Sequence, residues 1–111
     1  MLDKILGSKV APLVLFQIYH YGECYAGGIS KDLGIGLSQI QKQLLRFEDA
    51  GILVSKKLGT TRIYFFYKKY PPTTAFMNLI EIYYYSLSLE DRKRLFKTRY
   101  RPRKPGKQVL R

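Results

Sequence analysis

The chain has 111 residues, 46% of them hydrophobic, and a formal charge of +12, which suits a single domain that buries one core without disulfide or metal staples. No apolar run approaches the ~20 residues of a membrane-spanning helix, and Asp3 and Lys4 interrupt the N-terminus where a signal peptide would stay apolar. A lone cysteine, Cys24, cannot close an internal disulfide, so a reducing cytoplasm is the expected compartment.

The positive charge invites a nucleic-acid partner, but it is unevenly placed. Residues 1–91 hold ten Lys/Arg and all eight Asp/Glu, whereas residues 92–111 hold ten Lys/Arg and no acid. The excess therefore sits in one C-terminal segment, and any argument about the folded body has to come from pattern.

A short helical turn before Gly7 and a helix over about Ala11–Tyr21 open the chain, with Pro12 in the first turn, where proline is tolerated. Leu13–Ile18 is almost continuously apolar, as in a helix buried on more than one side. A short helix over Ala26–Leu33 stops at Gly34; Gly27 and Gly28 in its first turn each disfavour helix by about 1 kcal/mol, so it depends on packing of Ile29 and Leu33. The strongest helical pattern runs from Leu37 to Ala50, with Gly36 as N-cap, Gln39 placed to reach back to the cap, and Gly51 as terminator. Ile40, Leu44 and Phe47 form its inward stripe.

The period then changes. Ile52–Lys57 and Thr61–Tyr67 are rich in β-branched and aromatic residues and flank a Leu58-Gly59-Thr60 turn, a hairpin pattern. Pro71-Pro72 breaks the chain, and Thr73 or Thr74 is the expected cap of a further helix striped by Phe76, Leu79, Ile80, Tyr83, Tyr84 and Leu87. Ser88, with Asp91 at the reciprocal position, caps a last helix reaching about Lys97. Residues 99–111, with Pro102, Pro105 and Gly106 among basic residues, read as an extended tail; residues 1–98 form the domain.

Helix, short helix, tight turn, polar-faced helix and hairpin in that order describe an α+β, mostly α, winged helix-turn-helix: a three-helix core plus a β-hairpin wing, with additional C-terminal helices. In such a unit the second helix of the pair enters the major groove. Its outward arc would carry Ser38, Gln39, Gln41, Lys42, Gln43 and Arg46. Glutamine can pair with adenine, arginine and lysine with guanine, and serine and lysine can hold phosphate. Lys56, Lys57, Thr60, Thr61 and Arg62 around the hairpin tip would meet the backbone or a minor groove.

The run Leu33-Gly34-Ile35-Gly36-Leu37-Ser38-Gln39-Ile40-Gln41-Lys42-Gln43-Leu44, continued by Phe47-Glu48-Asp49-Ala50-Gly51-Ile52-Leu53, closely resembles the helix-turn-helix of ArsR/MarR-type winged helix regulators. The Ile63-Tyr64-Phe65-Phe66-Tyr67 strand is similar to that of the branch with a Tyr-Tyr or Tyr-Phe strand after its wing. The resemblance covers roughly residues 5–85. It implies a homodimeric, sequence-specific transcriptional regulator of double-stranded DNA, with the two flanking helical regions used for dimerisation. Metal-sensing members carry paired cysteines or His/Asp/Glu clusters; this chain has one cysteine and one histidine, Cys24 and His20, so no metal is expected. Gly27 and Gly28 replace the polar residues usual in the first helix of the pair.

Each feature has a plainer reading. The Ser38–Arg46 face could be ordinary solvated helix, and winged helices also serve as protein-protein modules or as nonspecific architectural nucleic-acid binders. Cys24 and His20 read as structural residues, and the tyrosines at 83, 84 and 85 as core or dimer surface. No cofactor or enzymatic chemistry is expected, because a Ser/His/Asp arrangement would need the only histidine and no phosphate-cradling loop is present. The tail is expected to add nonspecific affinity by releasing counterions from phosphate. Deleting residues 99–111 should then weaken binding to every duplex and flatten its salt dependence, measured by titrations at several salt concentrations; unchanged binding would refute that role.

Overall fold

The computed structural model describes residues 2–97, so the basic segment 99–111 and the domain limit at residue 98 lie outside the described residues. Six helices and three strands follow in the order α1 (Leu2–Leu6), α2 (Val10–Tyr21), β1 (Cys24–Tyr25), α3 (Ala26–Leu33), α4 (Leu37–Asp49), β2 (Leu53–Leu58), β3 (Thr61–Phe66), α5 (Pro71–Tyr85) and α6 (Leu89–Leu95). The chain is mostly helical, with one small antiparallel sheet ordered β1-β3-β2.

Helix α2 is the centre of the fold. Ala11, Val14, Leu15 and Ile18 are all fully buried, which explains why its sequence lacks a polar face: α1, α3, α4, α5 and the sheet all pack around it. Ser8 closes its N-terminus, its hydroxyl accepting from the backbone amides of Val10 and Ala11 at 3.1 Å each. Ile29 from α3, Ile40, Leu44 and Phe47 from α4, and Ile80 and Tyr84 from α5 complete the core with Leu53, Tyr64 and Phe66 from the sheet.

The short helix α3 forms despite Gly27 and Gly28. Gly28 is buried, and a Cβ on Gly27 would lie 3.2 Å from the Tyr25 ring. The glycines that weaken the helix intrinsically let it sit close against its neighbours. Gly51 answers a different demand. It ends α4 at φ +85°, and an added Cβ would come within 3.0 Å of the Tyr70 ring, so conformation and space both call for glycine.

Three boundaries differ from the sequence expectation. The two-residue strand β1 pairs Cys24 with Tyr64 and Tyr25 with Ile63; two residues are too few to show an alternating pattern. Helix α5 begins at Pro71 rather than after a threonine cap, because first-turn amides lack intrahelical partners and proline costs nothing there. Thr73 is instead buried, its hydroxyl donating to the Gly51 carbonyl at 3.5 Å. Helix α6 ends at Leu95, two residues short of Lys97; its Ser88 cap is as expected, the hydroxyl accepting from the Asp91 amide at 3.0 Å, while the Asp91 carboxylate pairs with Arg94.

Helix α6 is held to the body by polar and aromatic contacts. The buried Gln17 amide donates to the Leu95 carbonyl at 2.6 Å. His20 stacks on Phe96 with ring centroids 3.9 Å apart, and its Nδ1 lies 2.7 Å from the Tyr84 hydroxyl. Arg92 lies over the Tyr84 ring and donates to the Tyr84 carbonyl at 2.8 Å. Nearby, burial and the Glu81 carboxylate push the Tyr19 hydroxyl up to about 12.

Burial and the Arg92 guanidinium push the His20 imidazole below its ordinary 6.5, against a weaker upward pull from Asp32. The unfolded chain therefore takes up the proton first as pH falls through 6.5, and stability drops from there down through the folded value. Above that window this contribution is fully present. Thermal melts between mildly alkaline and mildly acidic pH should show the loss in the wild type, and His20→Asn should flatten it; an unchanged slope in that variant would refute the assignment.

Candidate nucleic-acid interface

Helix α4 is amphipathic because its apolar residues recur at helical spacing, and the buried set is Ile40, Gln43, Leu44 and Phe47. The opposite arc presents Ser38, Gln39, Gln41, Lys42, Leu45, Arg46 and Asp49 to solvent. The side chains of Ser38, Gln39, Gln41 and Lys42 make no hydrogen bond or ion pair among the described residues. The α3–α4 turn is short and braced, with the Ser30 hydroxyl donating to the Ile35 carbonyl at 2.6 Å and the Gly34 amide to the Ser30 carbonyl at 2.8 Å. No side-chain bond closes the α4 N-terminus at Gly36.

Two residues read as part of the exposed arc stand differently. Gln43 is only 8% exposed, and its Oε1 accepts from Arg46 Nη1 at 3.0 Å. On a helix Gln43 lies 60° from Ile40 and 40° from Phe47, so it belongs to the edge of the inward stripe, and its polarity disguised that place. Arg46 is exposed but engaged. Its Nη2 donates to the Leu6 carbonyl at 2.8 Å, and its guanidinium lies 5.3 Å from the centre of the Phe47 ring. Arg46 thus ties the end of α1 to one flank of α4.

The hairpin occupies the other flank. Its register pairs Ser55 with Tyr64, Lys57 with Arg62 and Leu58 with Thr61. Alternation puts Ser55, Lys57, Tyr64 and Arg62 on one face and Lys56, Leu58, Thr61 and Ile63 on the other. The first face looks toward α4, because the Ser55 hydroxyl donates to the Glu48 carboxylate at 2.7 Å and accepts from Arg62 Nη1 at 3.0 Å. Tyr64 borders this chain; burial first, then Glu48, raises its hydroxyl pKa, with Arg62 opposing.

The basic residues of the hairpin therefore do not form one cluster. Lys57 and Arg62 share the α4 side. Lys56 lies on the far face with its ammonium 5.7 Å from the Phe65 ring centre, Thr61 is half-buried on that same face, and Thr60 is exposed at the turn. Neighbours in a strand must point to opposite faces, so the sequence already held this information.

Two residues of the α4 arc were missed by the sequence reading. Leu45 is 53% exposed, three and four residues after Lys42 and Gln41, and was passed over because leucine is presumed to be core. Asp49 is exposed one turn further on. A carboxylate there, at the negative end of the helix, repels phosphate and limits an anion-binding surface to the preceding turns.

Among the described residues, no group of three or more His, Cys, Asp or Glu could hold a metal ion, and no helix is long and apolar enough to cross a membrane. The chain matches no family model, no curated protein and no solved structure in the corresponding searches.

The Arg46 contacts make a stability prediction that separates it from Lys42. Arg46→Ala should cost about 1–2 kcal/mol, since it strands the buried Gln43 carbonyl and frees α1, whereas Lys42→Ala should stay within about 0.5 kcal/mol. Urea unfolding of both variants measures the difference, and equal stabilities would show that the Arg46 tie contributes nothing.

Proposed function

We propose that the chain is a sequence-specific DNA-binding regulator of the winged helix-turn-helix kind. Helix α4 enters the major groove of duplex DNA, and the β2–β3 hairpin acts as the wing. The observation that carries this reading is the α4 arc. Its Ser38, Gln39, Gln41 and Lys42 side chains are exposed and uncommitted, while the opposite side of the helix is anchored in the core. Amide and ammonium groups arranged this way suit base edges and phosphates.

The flanks support the same reading. Lys57 and Arg62 stand on the side of the hairpin facing α4, where they can follow the backbone beside the groove that α4 occupies. Lys56 and Thr61, on the far face, fall outside the proposed contact set. Gln43 and Arg46 support the helix from beneath and from the side.

A homodimer fits this function, because two copies related by a two-fold axis address half-sites about one helical turn apart. Exposed Ile82, Tyr85 and Leu89, on α5 and the start of α6, supply apolar surface of the type that a second copy would cover.

Replacing both Lys42 and Lys57 by alanine should weaken duplex binding by about ten-fold at moderate salt and lower the salt slope by roughly one per lost phosphate contact. Fluorescence anisotropy against a random and a selected duplex measures both. Unaltered affinity in the double variant would favour a protein-interaction module, and equal affinity of the wild type for the two duplexes would favour an architectural binder.

A further inference from the structure

The residues on the α4 arc differ in what they can still offer a base pair. Leu45 lies near the middle of the arc, 20° around the helix from Ser38 and flanked one turn earlier by Gln41 and Lys42. Its side chain is 53% exposed, and Asp49 follows it on the same line. A single exposed leucine is unremarkable on most surfaces. Here it stands at the angular centre of the arc proposed to enter the groove, two turns into the helix.

Guanine is read by an arginine fork or by a lysine ammonium, and the fork gives the more directional contact. Arg46 is the only arginine on α4, and both of its terminal nitrogens are engaged, Nη1 with Gln43 and Nη2 with the Leu6 carbonyl. Turning Arg46 toward DNA would strand a buried amide oxygen and release α1. What remains is Gln39 and Gln41, whose amides match adenine N6 and N7, Leu45, whose methyls match the thymine 5-methyl group, Ser38, which suits base or phosphate, Lys42, a flexible point charge that suits phosphate or guanine, and Asp49 at the far end of the arc.

We infer that α4 reads an A·T-rich half-site, with Leu45 packed on a thymine 5-methyl group and Gln41 paired with an adenine in the same run. Arg46 acts as a positioning residue that holds α4 against α1 and is withheld from guanine readout. The inference rests on the proposed placement of α4 in the major groove and names the sequence class that this placement selects.

The test uses the full chain. Sequences are first selected from a randomised duplex pool; each thymine of the selected half-site is then replaced singly by deoxyuridine, which removes only the methyl group. A·T-rich half-sites are expected. At one position the replacement should weaken wild-type binding about four-fold, the factor given by one buried methyl group, and it should leave Leu45→Ala unaffected. Leu45 is exposed, so the variant leaves no core cavity, and its circular dichroism should match the wild type.

Selection of G·C-rich half-sites overturns the inference, as does sequence-specific binding insensitive to every thymine replacement; in both cases the proposed DNA-binding function stands. Retention of the four-fold effect in Leu45→Ala overturns the role of Leu45. No binding to any duplex by the wild type overturns the DNA-binding function and this inference together.

Discussion

The burial of most of α2, from Ala11 to Ile18, is the constraint from which the rest of the arrangement follows. A helix with Ala11, Val14, Leu15 and Ile18 fully enclosed must be covered by several partners, and each partner is oriented by the stripe it turns inward. Helix α4 meets this demand with Ile40, Leu44 and Phe47, so its polar arc is forced outward. Gln17 shows what the enclosure costs. Its Nε2 is satisfied by the Leu95 carbonyl, but its Oε1 is buried without a partner among the described residues, and a buried oxygen left in that state costs about 1–3 kcal/mol. The buried amide nonetheless gives α6 a polar anchor beneath the His20–Phe96 stack.

Much of this was legible in the sequence where a periodic pattern ran long enough. Helices α3 and α4 and the hairpin fall within a residue or so of their expected limits, because Gly34, Gly51 and the change from helical to alternating spacing punctuate them clearly. Failures came where residue type and residue position conflicted. Gln43 reads as surface by chemistry but lies inside by angle, and Leu45 is the reverse. The proline pair reads as a break but begins α5, since a proline in the first turn and a proline in a loop look alike without the chain around them. Strand β1 was invisible because only its partner β3 makes it a strand.

The candidate surface was legible in outline and not in its commitments. Sequence shows which side chains carry donors and charges; it does not show which of them are already occupied. Arg46 is spent on Gln43 and Leu6, Ser55 links Glu48 to Arg62, and these two ties hold α4 from opposite flanks. A helix fixed in this way loses little conformational freedom when a ligand docks, so its weak contacts are not offset by an ordering cost. Under the proposed function, side chains on the flanks act through geometry, and those in the middle of the arc through contact.

Charge completes the argument by its placement. The folded body carries a moderate excess, with fourteen basic and eight acidic residues over positions 2–97, and Glu48 and Asp49 stand at the end of the helix proposed to meet DNA. A surface that relied on bulk attraction would not keep two carboxylates there. Glu48 has a structural task, since its oxygen holds the hairpin through Ser55, and Asp49 sets a boundary, since phosphate is disfavoured beside it. Attraction without sequence preference can be left to the basic C-terminal segment, where charge is dense and acids are absent. In the proposed complex the body would distinguish base pairs by a few uncharged groups, for which a glutamine amide and a leucine methyl are sufficient chemistry.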